Sequence, residues 1–153
     1  MLNRYFNNTD YEKRLLQLNK QCEENQKLNE FYCGEYTLIK NDPDILKLTT
    51  TLPKVVLHFR HPDFKKCAEM DRHLSFLANK YPKIKFGYCH VLECSFIVER
   101  FNIKVLPHVV VFHNGIAKKH FIGFDEFGVH DVETKHVEFE ILDVYHQLSK
   151  GGS

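Results

Sequence analysis

Beyond Gly34 the apolar residues fall into short runs and stripes whose period alternates between that of a strand and that of a helix. Glu35-Tyr36-Thr37-Leu38-Ile39 is rich in strand formers. Asp42-Pro43 then predicts a short helix, with Asp42 as N-cap and Pro43 at the first helical position. Val55-Val56-Leu57-His58-Phe59, bounded by Pro53 and Pro62, is the kind of apolar run that a buried parallel strand shows. The helix predicted next places Cys67, Leu74, Leu77 and Tyr81 on one face, and Pro82 ends it. Ile84 to Tyr88 reads as a strand and Phe96 to Arg100 as a short helix. Val109 to Phe112 and Lys119 to Ile122 flank Asn114-Gly115, a hairpin signal. Val137, Ile141, Val144 and Leu148 form the stripe of a last helix.

The first stretch has a different pattern. Thr9 and Glu12 have capping-box spacing, and Tyr11, Leu15, Leu18 and Cys22 follow as one apolar stripe. The stripe fades into Glu23-Glu24-Asn25-Gln26-Lys27, so this helix is either a docking element for a partner or an arm on its own domain. The predicted order is β-α-β-α-β-α-β-β-α behind an extra helix. That order implies an α/β fold with a mixed central sheet and helices on both faces. Three parts are expected: an N-terminal helical arm over 1–33, a domain over 34–148 and a short tail over 149–153.

Composition narrows the function classes. The 153 residues suit one domain, with 43% hydrophobic and 13% aromatic residues, as in a soluble globule. Net charge is +1 and the basic residues are spread out, which argues against a nucleic-acid surface. No apolar run approaches a membrane span, and the start has no secretory h-region. Five cysteines without repeating spacing read as reduced thiols in the cytoplasm.

Val-Leu-Pro (105–107) before a strand, the Asn-Gly hairpin and Gly123 after the last strand together resemble the thioredoxin fold over roughly Gly34 to Leu148. The resemblance implies a cis bond at Leu106–Pro107. It fails where thioredoxins carry their Cys-x-x-Cys pair: Phe64-Lys65-Lys66-Cys67 stands there instead. Phe64 replaces the attacking cysteine and Cys67 keeps the resolving position. Asp63 replaces the usual tryptophan, and His58 the buried acid that assists proton transfer. Phe64, Cys67 and Pro107 are therefore expected to form a vestigial redox site with no catalytic residue.

Val-Val-Leu-His-Phe (55–59), Met-Asp-Arg-His-Leu (70–74), Glu99-Arg100, Ile-Lys-Val-Leu-Pro (103–107) and Gly-Phe-Asp-Glu-Phe-Gly (123–128) carry a finer resemblance. Gly-Glu-Tyr at 34–36 also fits. Together these motifs are similar to those of the phosducin-like proteins, in particular the subgroup of thioredoxin domain-containing protein nine. The resemblance implies a cytosolic co-chaperone of the eukaryotic chaperonin that modulates folding of tubulin or actin. Other branches of the family bind G-protein βγ subunits. No cofactor is expected. Tyr11, Leu15 and Leu18 are the candidate partner-binding residues.

Several residues admit a second chemistry. Cys67 follows Lys65 and Lys66, whose charges favour a thiolate, so a monothiol redox role stands as the alternative. The favoured reading makes it a small buried residue in line with Leu74 and Leu77. Two groups of potential zinc ligands occur, His58, His61 and Cys67 in one and Cys89, His90 and Cys94 in the other. Neither has a four-ligand spacing, so no metal is expected. Asp71-Arg72-His73 reads as a solvated helix face with an internal ion pair worth under about 1 kcal/mol. His108, after the proline, is expected near Cys67, but no orienting third group is apparent. Gly151-Gly152-Ser153 lacks the context of a phosphate loop.

Overall fold

The computed structural model describes residues 34–128 and 131–150. The helix expected around Tyr11, Leu15 and Leu18, and the end at 151–153, lie outside the described residues.

A central strand must present buried side chains to both sides of its sheet, and Lys54–Arg60 (β2) does so, with Val55 to Phe59 all buried. Tyr36–Leu38 (β1) and Lys85–His90 (β3) join it in a parallel arrangement with β3 in the middle. His108–His113 (β4) pairs antiparallel on the other side of β2, followed by Ile116–Ile122 (β5). The five strands therefore run β1-β3-β2-β4-β5. Asn114 (φ 52°) and Gly115 (φ 83°) close the β4–β5 hairpin, both in the left-handed conformation that a two-residue turn of this twist requires.

The helices are Asp42–Thr51 (α1), Lys65–Lys80 (α2), Ser95–Arg100 (α3) and Thr134–Lys150 (α4). Single turns of 3-10 helix occupy Val91–Glu93 and Asp125–Phe127. This order matches the one predicted for the domain. The last helix runs on to Lys150, and none among the described residues is long and apolar enough to cross a membrane.

The period of two sorts the strand residues between two cores. Val56, Phe86, Val109, Val111 and Phe121 meet Met70, Leu74 and Leu77 of α2 and Val137 and Ile141 of α4. Val55, Leu57, Phe59, Val110 and Phe112 meet Ile45 of α1, Ile97 of α3 and Ile103 on the opposite face. Each such fully buried aliphatic side chain contributes roughly 1.5–3 kcal/mol. Tyr145, the third buried residue of α4 after Val137 and Ile141, spans the layers: its hydroxyl donates to the Phe112 carbonyl at 2.8 Å. Val144 and Leu148 of the expected stripe are only partly buried.

Gly87 sits at the middle of the three parallel strands, between Thr37 and Leu57. A Cβ there would stand 3.1 Å from both the Thr37 carbonyl oxygen and Ile39 Cγ1, so β1 approaches as closely as it does only because residue 87 has no side chain.

The α1 start departs from expectation. Asn41, not Asp42, is the N-cap, and its side chain accepts from the Asp44 N–H at 3.0 Å. The helix begins one residue earlier than expected, with Pro43 still in the first turn, where its missing N–H costs nothing. Asp42 is thereby released to cap another element. Its carboxylate accepts from the Phe96 N–H at 3.1 Å and the Ile97 N–H at 3.0 Å, in the first turn of α3. The α3 N-cap residue, Cys94, makes no side-chain capping bond of its own.

Candidate functional site

β2 runs out at Arg60 and the chain turns through residues 61–64 into α2. Phe64 takes the N-cap position with a side chain that cannot cap. It is 48% exposed and meets His61 edge-on, with ring centroids 5.6 Å apart. The Cys67 N–H bonds to the Phe64 carbonyl at 3.0 Å, so the two residues stand on the first turn as the sequence suggested. Cys67 itself has no exposed surface and lies beside the stripe of Met70, Leu74 and Leu77. Burial pushes its thiol above the ordinary range, against the opposing effects of a His61 backbone bond and the Arg60 charge. A helix N-terminus ordinarily activates a thiol; here desolvation wins.

Leu106–Pro107 is cis, and the Pro107 carbonyl accepts from the Gly123 N–H at 2.8 Å. Register places Phe59 of β2 opposite His108 of β4. Pro107 therefore lies at the same sheet end as the loop that carries Phe64.

His108 does not approach Cys67 in the way expected. It alternates with Val109 along β4 and so faces α1 and α3, on the opposite side of the sheet from α2. There its Nε2 lies 2.9 Å from His120 Nδ1, and its ring stands edge-on to Phe59. Burial and the neighbouring His120 push its pKa down to about 4.

The polar centre of the site is one that the sequence reading missed. Asp71, one helical turn beyond Cys67, accepts from the Tyr36 hydroxyl at 2.6 Å. His58 Nδ1 lies 2.9 Å from the same oxygen, Asp71 Oδ1. Because a carboxylate only accepts, this contact fixes the His58 proton on Nδ1. Arg60 Nε lies 2.9 Å from Asp71 Oδ2, an ion pair too bent to form a hydrogen bond. Burial holds His58 below its ordinary pKa and outweighs its bond to Asp71. Burial also raises Asp71, but bonds from His58 and Tyr36 with the nearby positive charge bring its carboxyl below the usual value. Burial and the Asp71 carboxylate push the Tyr36 phenol up.

Of Asp71-Arg72-His73, only Arg72 is exposed to solvent as a solvated face would be. Asp71 ties β1, β2 and α2 together, and His73 is buried with its Nδ1 2.8 Å from Thr134 Oγ1. Two signals could have exposed this. Asp71 falls on the stripe between Cys67 and Leu74, and His58 interrupts an apolar strand. The residue at the position of the thioredoxin acid thus has its only proton committed to Asp71, and the cluster is a structural clamp. Beside it opens a concavity of about 640 Å³ lined by Tyr36, Arg60, Arg72, Phe76 and Tyr88.

The two suggested zinc groups do not assemble. Among the described residues no three His, Cys, Asp or Glu side chains gather as a ligand set. His58 turns to Asp71, and Cys94 Sγ donates to the His90 carbonyl at 3.2 Å.

No protein-family model matches the chain. Solved thioredoxins share the architecture. Mitochondrial thioredoxin 3 of Saccharomyces cerevisiae superposes with a TM-score of 0.60 at 24% identity, over 71% of this chain and 94% of that one. Plasmodium falciparum thioredoxin gives 0.61 at 17%, over 70% and 97%. These likenesses establish the thioredoxin fold. Among curated relatives, phosducin-like protein 3 of Dictyostelium discoideum is 33% identical over 135 residues, 87% of this chain and 70% of that protein. Mouse thioredoxin domain-containing protein 9 is 32% identical over 131 residues, 85% of this chain and 58% of that protein. Phosducin-like protein 1 of Saccharomyces cerevisiae is 38% identical over 95 residues, 62% and 41%. With a thioredoxin fold and relatives of this identity and coverage, the chain belongs to the phosducin-like protein family.

Proposed function

We propose that the chain is a non-catalytic thioredoxin-fold co-chaperone of the cytoplasm, binding the cytosolic chaperonin and modulating the folding of tubulin or actin. The observation that carries this reading is the state of the former redox position. Phe64 offers a half-exposed aromatic ring where an attacking thiolate would stand, and the remaining Cys67 has no exposed surface. A dithiol exchange needs two thiols in sequence, one of them reachable as a thiolate. The class of partner is the one that the resemblance to the phosducin-like proteins implies. The first-turn chemistry is thereby replaced by surface, and partner contact is assigned to apolar anchors, among them Tyr11, Leu15 and Leu18.

The test is co-migration of the full chain with purified cytosolic chaperonin on size exclusion, beside Leu15→Asp. The full chain is expected to co-migrate. Leu15→Asp is expected to lose at least tenfold in affinity while its urea unfolding midpoint stays put. Equal loss of binding and stability would place Leu15 in the domain's own core. No co-migration of the folded full chain overturns the proposal, and capture of purified G-protein βγ in its place would reassign the partner.

A further inference from the structure

Cys89 and Cys94 belong neither to the former redox position nor to the Asp71 cluster. Cys89 is the penultimate residue of β3, on the face covered by α1 and α3, and Cys94 is the N-cap residue of α3. Their exposures are 0% and 1%, and both lie in the same apolar cluster as Ile45, Phe59 and Ile97. The 3-10 turn between them folds the chain back on itself. Cys94 Sγ sits 3.2 Å from the carbonyl oxygen of His90, the residue next to Cys89. The two thiols lie close enough for each to shift the other's titration. Both are free and belong to one buried apolar cluster.

We propose that Cys89 and Cys94 form a reversible intramolecular disulfide by exchange with a small-molecule disulfide of the glutathione type. In the first step the Cys94 thiolate attacks one sulfur of the small disulfide, expels one small thiolate and leaves a mixed disulfide on Cys94. In the second, the Cys89 sulfur attacks the Cys94 sulfur and expels the other small thiolate. The two protons given up by the protein thiols pass to the two expelled thiolates. Two protein thiols are thus oxidised and one small disulfide is reduced to two thiols.

The environment assigns the order. The neighbouring Cys89 holds the Cys94 thiol below its ordinary value, whereas Cys94 and burial push Cys89 well above. Access comes from the shortness of the segment. α3 has six residues, two of its first amides are held only by Asp42, and Leu92 in the preceding turn is 74% exposed. Local opening of this segment is far less demanding than global unfolding and uncovers Cys94. The site is independent of the co-chaperone reading, since it uses neither Cys67 nor the N-terminal stripe.

The test is to incubate the folded full chain with oxidised glutathione, alkylate in denaturant, and digest with trypsin. Cleavage after Lys85 and Arg100 leaves both cysteines in the single peptide 86–100. That peptide is expected without alkyl groups and lighter by two hydrogen atoms, with full alkylation restored by dithiothreitol. In Cys89→Ser the peptide is expected to carry glutathione on Cys94, and in Cys94→Ser to carry none. Circular dichroism reports the fold of each variant, and the wild-type result stands without them. A doubly alkylated wild-type peptide, a stable glutathione adduct on it, or crosslinks to other cysteines would each overturn the proposal.

Discussion

Asp71 gathers two hydrogen-bonding partners and one guanidinium from two strands onto one carboxylate, and the three are not equivalent. Removing the Tyr36 hydroxyl takes away its bond to Asp71 and its 3.0 Å contact with His58 Nδ1, and leaves the charge pair of Asp71 with Arg60. Removing the Asp71 charge leaves a mostly buried guanidinium without its anion. Tyr36→Phe is therefore expected to cost about 1 kcal/mol and Asp71→Asn roughly 3 kcal/mol in urea unfolding. Equal losses below about 0.5 kcal/mol would mean that the cluster behaves as solvated surface. At this scale the sequence was legible for apolar residues and misleading for polar ones. Cys67 went to the inner face as its stripe required, and Pro107 took the cis bond that the resemblance implied. Asp71 was misread because a run of three polar residues suggests solvent, although its place between Cys67 and Leu74 put it on the buried side. What covered it, Tyr36 and Arg60, comes from strands that only the folded sheet brings alongside.

The elements themselves follow from period. β2 and α2 were readable because each repeats its own spacing between prolines, and the β4–β5 hairpin because Asn114-Gly115 supplies its turn chemistry. Their ends were less legible. Asn41 and Asp42 are both good capping residues, and nothing local tells which one will cap α1 and which will reach across to α3. The tertiary role of Asp42 has a measurable signature. Asp42→Ala is expected to cost on the order of 1 kcal/mol, with faster hydrogen exchange at the Phe96 and Ile97 amides. Asn41→Ala should produce a similar loss while its exchange effect falls at Asp44 in α1. If Asp42→Ala leaves the α3 amides unchanged, water caps that helix as well as the carboxylate does.

Among the described residues, four histidines are held below their ordinary pKa, chiefly by burial: His58, His73, His108 and His120. The unfolded chain binds protons at these sites before the folded one does. Their stabilising contribution is therefore complete above the unfolded value near 6.5, and it drains away as the pH falls. His108, with its folded value of about 4, alone accounts for a loss of roughly 2 kcal/mol at pH 5. Asp71 acts in a lower window, since its contribution persists until the pH drops below the ordinary carboxylate range. Unfolding midpoints in urea are expected to fall steadily between pH 7 and 5, and His108→Phe should flatten that slope. A wild-type profile flat over this interval would contradict the burial of these rings. The fold class was readable at this scale because strand and helix signals alternate in one order. The pairing of His108 with His120 was not, since it depends on which face of β4 turns toward α1 and α3.

The β4–β5 register carries a consequence for how copies of the molecule meet. Val111 pairs with Lys119 and Phe112 with Ala117, so Lys118 is the extra residue of a bulge on the last strand of the sheet order. That strand has no neighbour on its outer side among the described residues, and a bare edge of this kind is a template for pairing with another chain. Two adjacent lysines and a local twist at mid-strand make that edge a poor template. At the opposite end β1 spans only three residues. Sheet-to-sheet aggregation is thus discouraged at one end by charge and irregularity, and at the other by brevity.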